Sequence, residues 1–214
     1  MLERWIKATP ETSFEIPAVS EELYMQTREA LAKEGYTFVV AIEPLSIGQL
    51  VSDPVKSQRF DYVDPSENIG AIVAPQMEVA IDPTHIRIES SNHLSTDKSI
   101  EEIKQQEAAL KARLPQEVRN LISMRIQNAS VLAQLDDQYQ KETGKVLFTD
   151  WHGRTDDRTV RGLDTGVGRN GRTAGLRVNG WLVGGDWPNV HGHDPIFAVL
   201  IVVLPRKLAE GYVI

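Results

Sequence analysis

The largest concentration of side chains able to bind or react lies in residues 143–187, here called the Arg/Gly segment. It holds six arginines and most of the chain's glycines, interspersed with threonines and acids. A guanidinium binds phosphate or carboxylate through two parallel hydrogen bonds, and a glycine-rich backbone can donate amides to the same anion. The pattern therefore predicts a site for a small anion or an acidic partner. Its candidate ligands are Arg154, Arg158, Arg161, Arg169 and Arg172, with Arg177 next along the chain.

The same arginines alternate with Asp156, Asp157 and Asp164, which opens a second interpretation. The segment would then be a solvated loop with Arg–Asp pairs, each of which contributes about 0–1 kcal/mol when exposed. A third interpretation starts from Gly166 and Gly168, which with a glycine three residues later match the spacing of a dinucleotide fingerprint. We reject it because the fingerprint requires a preceding strand, a following helix and an acid about twenty residues later.

A second cluster, His191-Gly192-His193-Asp194, has the residue types of a metal site. Two imidazoles two residues apart on an extended segment lie on the same side and can bind one ion, with a carboxylate close by. His152 and Asp150, near an earlier predicted strand, could complete the ligand set. The cluster indicates a divalent metal and a metal-dependent hydrolase. The alternative is a polar turn whose histidines and aspartate make local hydrogen bonds.

Composition limits the classes of protein to consider. The 214 residues are 41% apolar and 25% charged, which is typical of a globular protein. The net charge of −7 is uneven, with −9 in residues 1–150 and +2 in residues 151–214. A general nucleic-acid binder would present a strongly basic face, so nucleic acid is an unexpected partner. Cysteine is absent, which excludes disulfides and thiol chemistry.

Two further patterns bear on location. The longest apolar run, residues 196–204, is about half of the roughly 20 residues that a membrane helix needs, so we expect no membrane span. Residues 1–7 lack the apolar core of a signal peptide. Together with the absence of cysteine, these patterns predict a cytoplasmic protein.

The first half of the chain predicts a helix followed by strands. Ser20 before Glu21 and Glu22 is typical of a helix start, and Gly35 of its end, which predicts a helix over 21–34. The β-branched and aromatic residues at 36–42 predict a strand. Residues 76–89 predict a hairpin with a turn at 82–84, with His85 on its solvent side.

The second half predicts two helices and further strands. A capping box at Ser99 predicts a mostly exposed helix over 100–113, and Pro115 opens a long core helix over 116–141. Strands are predicted at 145–149, at 196–204, and as a hairpin around the turn formed by Asn179 and Gly180. We expect three tryptophans to seal the core, with the wall of a ligand pocket as the alternative: Trp151, Trp181 and Trp187.

This order of elements predicts an α+β fold, a mostly antiparallel sheet packed against two or three helices. We expect one domain over residues 1–214. The alternative is a division into 1–95, a helix plus strands, and 96–214, a helical pair plus a β-rich C-terminal part.

Several short motifs lie between residues 76 and 205: Val79-Ala80-Ile81-Asp82-Pro83, Ser91-Asn92, Thr143-Gly144 with Leu147-Phe148, Arg154-Thr155, Val167-Gly168, and Gly175-Leu176 with Val178 and Trp181. Together they resemble an uncharacterised family of bacterial proteins from small-genome candidate phyla. The resemblance implies that residues 147–181 form one structural unit, and it implies no activity. The chain departs from the family pattern at residues 191–194.

Our leading functional hypothesis is a non-enzymatic protein that binds a protein partner or a small anionic molecule through loops in residues 150–193, without a cofactor. The second hypothesis is the metal-dependent hydrolase. The third is a structural subunit that forms homo-oligomers through exposed helices in residues 100–141.

Elemental analysis of the tag-free protein separates the first two hypotheses. If His191 and His193 hold a metal, we expect stoichiometric zinc, manganese or iron in the purified protein and its loss from the His191→Ala/His193→Ala double variant, because each substitution removes a ligand. Metal-free protein in both preparations would remove the hydrolase hypothesis and leave the anion and partner hypotheses.

Overall fold

Helices and strands alternate irregularly along the chain, as in an α+β fold. The computed structural model describes residues 15–52, 62–63, 71–94, 96–148, 151–158, 163–169, 176–182 and 196–208. The helices are α1 (Glu21–Lys33), α2 (Ile47–Ser52), α3 (Thr96–Arg113), α4 (Gln116–Arg119), α5 (Ala129–Thr143) and a 3-10 helix (Glu89–His93). The strands are β1 (Ala18–Val19), β2 (Phe38–Ile42), β3 (Tyr62–Val63), β4 (Met77–Ile81), β5 (Ser123–Met124), β6 (His152–Arg158), β7 (Leu163–Arg169), β8 (Leu176–Leu182), β9 (Ile196–Phe197), β10 (Val202–Val203) and β11 (Arg206–Lys207).

Three sheets organise these strands. A four-stranded antiparallel sheet has the order β2-β4-β10-β5. A five-stranded sheet has the order β3-β8-β7-β6-β9, in which β6, β7 and β8 are antiparallel neighbours and β3 and β9 add in parallel. The third sheet is the parallel pair β1–β11. The α+β prediction with a mostly antiparallel sheet is confirmed.

The first helix and strand match their predictions. Ser20 caps α1, because its Oγ accepts a hydrogen bond from the Leu23 N–H at 3.3 Å. Gly35 has φ +95°, a left-handed conformation that other residues rarely adopt, and the chain turns there into β2.

The predicted helix over 116–141 is wrong, because it is divided into two helices and a strand. α4 is a single turn, after which β5 pairs with β10 and becomes part of the four-stranded sheet. α5 starts only at Asn128, whose Oδ1 accepts from the Val131 N–H at 3.0 Å. The capping box at Ser99 is also wrong, since Ser99 lies inside α3 and is fully buried. The prediction of a mostly exposed helix is confirmed, because most described residues of α3 are exposed and Ile103 and Leu110 are among the few that are buried.

The predicted hairpin over 76–89 is wrong as well. β4 has β2 on one side and β10 on the other, so both of its edges are occupied. The chain after the turn pairs with residues 198–200 instead. Ile88 N–H donates to the Ala198 carbonyl at 3.0 Å, and Leu200 N–H donates to the Ile86 carbonyl at 2.7 Å.

Within residues 197–204 every residue except Leu200 is buried, as predicted, but residues 196–204 do not form one strand. β9 pairs with β6 in the five-stranded sheet, whereas β10 pairs with β4 and β5 in the four-stranded sheet. The apolar run therefore crosses from one sheet to the other. Its uninterrupted hydrophobicity reflects burial in both sheets.

Two other strand predictions are corrected. Residues 145–148 are not a strand, since Leu147 N–H donates to the Asp136 carboxylate at 2.8 Å; residue 149 lies outside the described residues. Asn179 and Gly180 form no turn, because both lie within β8 and pair with Gly166 and Thr165 of β7.

α5 contacts β2 of the four-stranded sheet and both β6 and β7 of the five-stranded sheet. Its first nine residues are all buried. The helix therefore supports the sheet that carries the Arg/Gly segment. Within the described ranges, no helix has the length and apolarity to cross a membrane.

A partly buried hydrogen bond joins α1 to the four-stranded sheet. The Tyr24 hydroxyl donates to Glu78 Oε2 at 2.6 Å. Burial, the hydrogen bond to Glu78 and the negative charge of Glu78 raise the pKa of Tyr24 to about 12. The folded protein thus keeps a proton that the unfolded chain releases near the ordinary tyrosine pKa of 10.0.

We expect this bond to contribute stability below about pH 10 that is lost as the pH rises towards 12, because the folded state binds more protons in that interval. Tyr24→Phe removes the hydroxyl and should flatten the fall in unfolding free energy over this range. Urea unfolding at several alkaline pH values measures the effect, with Tyr139→Phe as the matched control. An equal pH dependence in wild type and Tyr24→Phe would contradict the assignment.

Candidate functional site

From His152 to Leu182, the described residues of the Arg/Gly segment lie in β6, β7 and β8, which run antiparallel to one another in the five-stranded sheet. β6 and β7 are strands where a loop is predicted. Strand pairing satisfies the backbone amides and fixes which residues lie side by side. The candidate site is therefore a sheet face whose composition follows from the register.

One face of this sheet packs on α5. A Cβ placed on Gly153 would lie 2.8 Å from Val199 Cγ2 and 2.9 Å from Leu132 Cδ1, so glycine lets the sheet approach the core closely. Gly153 pairs with Phe197, which is buried, and with Val167. The row that contains Gly153 therefore belongs to the core face.

Side chains alternate between the two faces of a strand, and residues paired across strands share a face. The residues on either side of Gly153 therefore belong to the opposite face, here called the arginine face. The register continues this face across β6, β7 and β8 in three rows. The rows are His152–Gly168–Arg177, Arg154–Gly166–Asn179 and Arg158–Asp164–Trp181.

The first row extends across all five strands. His152 pairs with Ile196 of β9 on one side, and Arg177 pairs with Tyr62 of β3 on the other. Gly168 lies between His152 and Arg177. Two basic residue types thus flank a glycine in a row that contains no acid.

The third row has a different charge balance. Between Arg154 and Arg158 the register shifts, so that four steps along β6 correspond to two along β7. This bulge returns Arg158 to the arginine face, opposite Asp164. Asp164 and Arg158 have opposite formal charges, so the third row has no net formal charge, whereas the first row has one arginine, one histidine and no acid.

Arg154 has a position that the sequence pattern did not indicate. It is the largest of the fully buried side chains, 1% exposed, and its Nη2 donates to the Leu94 carbonyl at 2.8 Å. Leu94 follows the 3-10 helix, so this arginine joins β6 to the segment before α3. Arg154 therefore makes a buried structural contact and does not lie in a solvated loop.

The other predicted ligands have different positions. Arg158 lies on the arginine face, whereas Arg169 pairs with Leu176 and belongs to the core-face row of β7. His152 lies on β6. Among the residues that the structure describes, no group of three or more His, Asp or Glu could hold a metal ion. The remaining predicted ligands lie outside the described residues: Arg161, Arg172, Asp150, His191, His193 and Asp194.

An aromatic cluster at the start of β6 was missed by sequence reasoning. The Arg87 guanidinium carbon lies 4.6 Å from the Phe197 ring centroid and 5.4 Å from that of Trp151, and Arg87 Nε donates to Glu89 Oε1 at 2.8 Å. Trp151 is buried and also packs edge-on against Phe148, which confirms its predicted place in the core. Trp151 comes directly before His152, and Phe197 comes directly after Ile196. Their packing therefore stabilises the end of the five-stranded sheet that carries the first row.

A second polar cluster forms the turn after β4. Asp82 Oδ1 accepts from the Thr84 N–H at 2.8 Å, and Asp82 Oδ2 lies 2.9 Å from His85 Nδ1. Partial burial acts to raise the pKa of Asp82, but the hydrogen bonds from Thr84 and His85 outweigh it and lower that pKa. The His85 side chain is 81% exposed, which confirms its predicted solvent position. These groups satisfy one another and form a capped turn.

Comparisons with known proteins found no match to a protein-family model, to a curated protein or to a solved structure. The resemblance to a family of small-genome bacteria stays a prediction.

The close approach of Gly153 to the core is testable by adding a methyl group. We expect Gly153→Ala to lower the free energy of unfolding by about 1–3 kcal/mol, because Val199 and Leu132 must move. Chemical denaturation measures the change. Gly48→Ala, the same substitution at an exposed position of α2, should leave stability unchanged or raise it slightly. Equal effects of the two substitutions would contradict the close packing of β6.

Proposed function

We propose that this chain binds a small anionic ligand on the arginine face, with the anion at the row His152–Gly168–Arg177. The observation that carries the proposal is the register, which places two basic residue types on either side of a glycine. Glycine lets a ligand approach the backbone closely, and a guanidinium binds phosphate or carboxylate through paired hydrogen bonds. A phosphate or carboxylate group matches this chemistry.

Charge supports the first row as the anion position. The row contains no acid, whereas Asp164 offsets Arg158 in the third row. Arg154 is held at Leu94, so we assign it a supporting role beside the ligand. The acidic body of the chain, −9 over residues 1–150, disfavours non-specific binding of polyanions and leaves a local anion site as the favoured arrangement.

Rigid support also favours binding at this place. β6 packs on α5 through Gly153, and Arg87 holds Trp151 and Phe197 beside the first row. A site on packed strands keeps its geometry better than a site on loops. The absence of cysteine fits a reducing compartment, and we propose that the ligand is cytoplasmic.

A metal-dependent hydrolase is the second candidate, and one observation favours it. Ile196, which is two residues after Asp194 in the sequence, pairs with His152 of β6. The elemental analysis of the wild type and the His191→Ala/His193→Ala variant tests this candidate independently of anion binding.

Anion binding is tested by titrating the protein with inorganic phosphate at constant ionic strength in a calorimeter. We expect Arg177→Gln to weaken phosphate binding about tenfold or more, because a charged hydrogen-bonding partner is lost. Arg206→Gln, which removes an exposed arginine of β11, is the matched control and should bind as the wild type does.

Two results would overturn the proposal. One is a wild-type protein that binds neither phosphate nor a dicarboxylate such as succinate. The other is equal phosphate affinity in the wild type and Arg177→Gln. Thermal unfolding of each variant shows that it is folded under the titration conditions.

A further inference from the structure

The four-stranded sheet leaves part of one edge open to another chain. Its outer strands are β2 and β5, and among the residues that the structure describes no further strand of this sheet lies beyond them. An outer strand carries backbone N–H and C=O groups that its own sheet does not pair. The register and the hydrogen bonds show which of these groups face outward.

The outward groups of β2 follow from the pairing of β4. Leu204 N–H donates to the Glu78 carbonyl at 3.0 Å, so the backbone groups of Glu78 point towards β10 and away from β2. Ala41 lies opposite Glu78, so this pair exchanges no hydrogen bonds and the backbone groups of Ala41 point away from β4. The same holds for Val39, two residues earlier. Val39 and Ala41 are here called the open edge.

Side chains occupy the neighbouring outward groups of both outer strands. On β5, Met124 N–H donates to Glu107 Oε2 at 2.9 Å. Just after β2, the Gln134 side chain accepts from the Glu43 N–H at 3.0 Å and donates to the Glu43 carbonyl at 2.9 Å. The helices α3 and α5 thus close the sheet at these positions and leave the open edge between closed neighbours.

The open edge lacks the usual protection against pairing. Natural sheet proteins place lysine, proline or a bulge on an outer strand. β2 contains no charged residue, no proline and no glycine. Ala41 is exposed and Val39 is partly exposed, so another strand has access to the edge. The composition of β2 therefore favours pairing with a further strand.

We propose that a second copy of this chain occupies the open edge, with the two β2 strands antiparallel about a twofold axis at Val40. Val39 of each copy then pairs with Ala41 of the other, and each of these two pairs exchanges two hydrogen bonds. Glu43 lies opposite the neutral Thr37, so no like charges face each other directly. The two four-stranded sheets become one continuous sheet.

The shortness of the open edge favours this occupant over an unrelated peptide. A peptide that adds to a sheet depends on main-chain hydrogen bonds along the edge for its affinity. Here the edge is closed after β2 by Gln134, and before β2 the Thr37 N–H donates to the Gly35 carbonyl at 2.8 Å. A twofold interface is self-complementary, so every contact between the two copies occurs twice.

Sedimentation equilibrium over a range of protein concentrations tests the dimer. We expect a monomer–dimer equilibrium in the wild type. Ala41→Lys should raise its Kd about tenfold or more, because a charge on each copy must lose water at the interface. Ala108→Lys, the same substitution at an exposed position of α3, is the matched control and should leave the Kd unchanged.

Ala41→Pro tests the hydrogen bonds themselves. It removes an N–H that points away from β4, so the bonds within the sheet are kept while one bond from each copy is lost at the interface. We expect a rise in Kd of about tenfold or more. Thermal unfolding shows whether the variants are folded, and Ala41→Lys decides the question if Ala41→Pro does not fold.

Cross-linking tests the register. The chain contains no cysteine, so Val39→Cys/Ala41→Cys supplies the only thiols. Residues in a hydrogen-bonded antiparallel pair have Cα atoms about 5.5 Å apart, which suits a disulfide. We expect oxidation to join position 39 of one copy to position 41 of the other, as shown by peptide mapping. Ala108→Cys/Ala112→Cys on α3 is the matched control and should give no such dimer.

Three results would overturn the proposed dimer. The first is a wild-type protein that is monomeric at every concentration measured. The second is a dimer whose Kd is unchanged by Ala41→Lys. The third is a dimer that Ala108→Lys weakens equally, because the exposed helices would then form the interface. The proposed anion site lies in the other sheet and does not depend on any of these results.

Discussion

The burial of α5 between two sheets is the constraint on which the rest of the structure depends. A helix in this position must satisfy every polar side chain that it buries. Gln134 does so by pairing with the backbone of Glu43, accepting from its N–H at 3.0 Å and donating to its carbonyl at 2.9 Å. Ser130 donates to the Leu45 carbonyl at 2.6 Å, and Asp136 accepts from Leu147. These contacts fix α5 relative to the chain on both sides of it.

The position of α5 has consequences for both sheets. α5 contacts β2 on one side and β6 and β7 on the other. The apolar segment 196–204 contributes one strand to each of these two sheets, β9 to the five-stranded sheet and β10 to the four-stranded sheet. Gly153 is required where β6 approaches the helix most closely. Arg87 then lies over the buried rings of Trp151 and Phe197 at the end of the five-stranded sheet. Packing on one face thereby leaves His152, Arg154 and Arg158 of β6 on the other, although Arg169 of β7 belongs to the core-face row.

The arginine face illustrates how a sheet can turn an irregular polar sequence into an ordered arrangement of residue types. Read along the chain, the arginines and aspartates alternate without a recognisable motif. Read across the strands, His152, Gly168 and Arg177 form one row and Arg158 and Asp164 belong to another. The first row combines Arg177 and His152 with a glycine and no acid, the combination on which the proposed anion site depends, whereas the third row combines an arginine, an aspartate and a tryptophan.

The sequence by itself determined the features that depend on local chemistry: the α1 cap at Ser20, its end at Gly35, the exposure of His85 and the α+β class. Tertiary structure decided what depends on pairing partners distant in sequence. Local sequence predicts a turn at Asn179 and Gly180, but both residues lie in β8 and pair with β7. It also predicts one helix over residues 116–141, but β5 interrupts that range and pairs with β10. Long-range hydrogen bonds outweighed local propensity in both places, because an unpaired buried backbone costs more free energy than an unfavourable residue type.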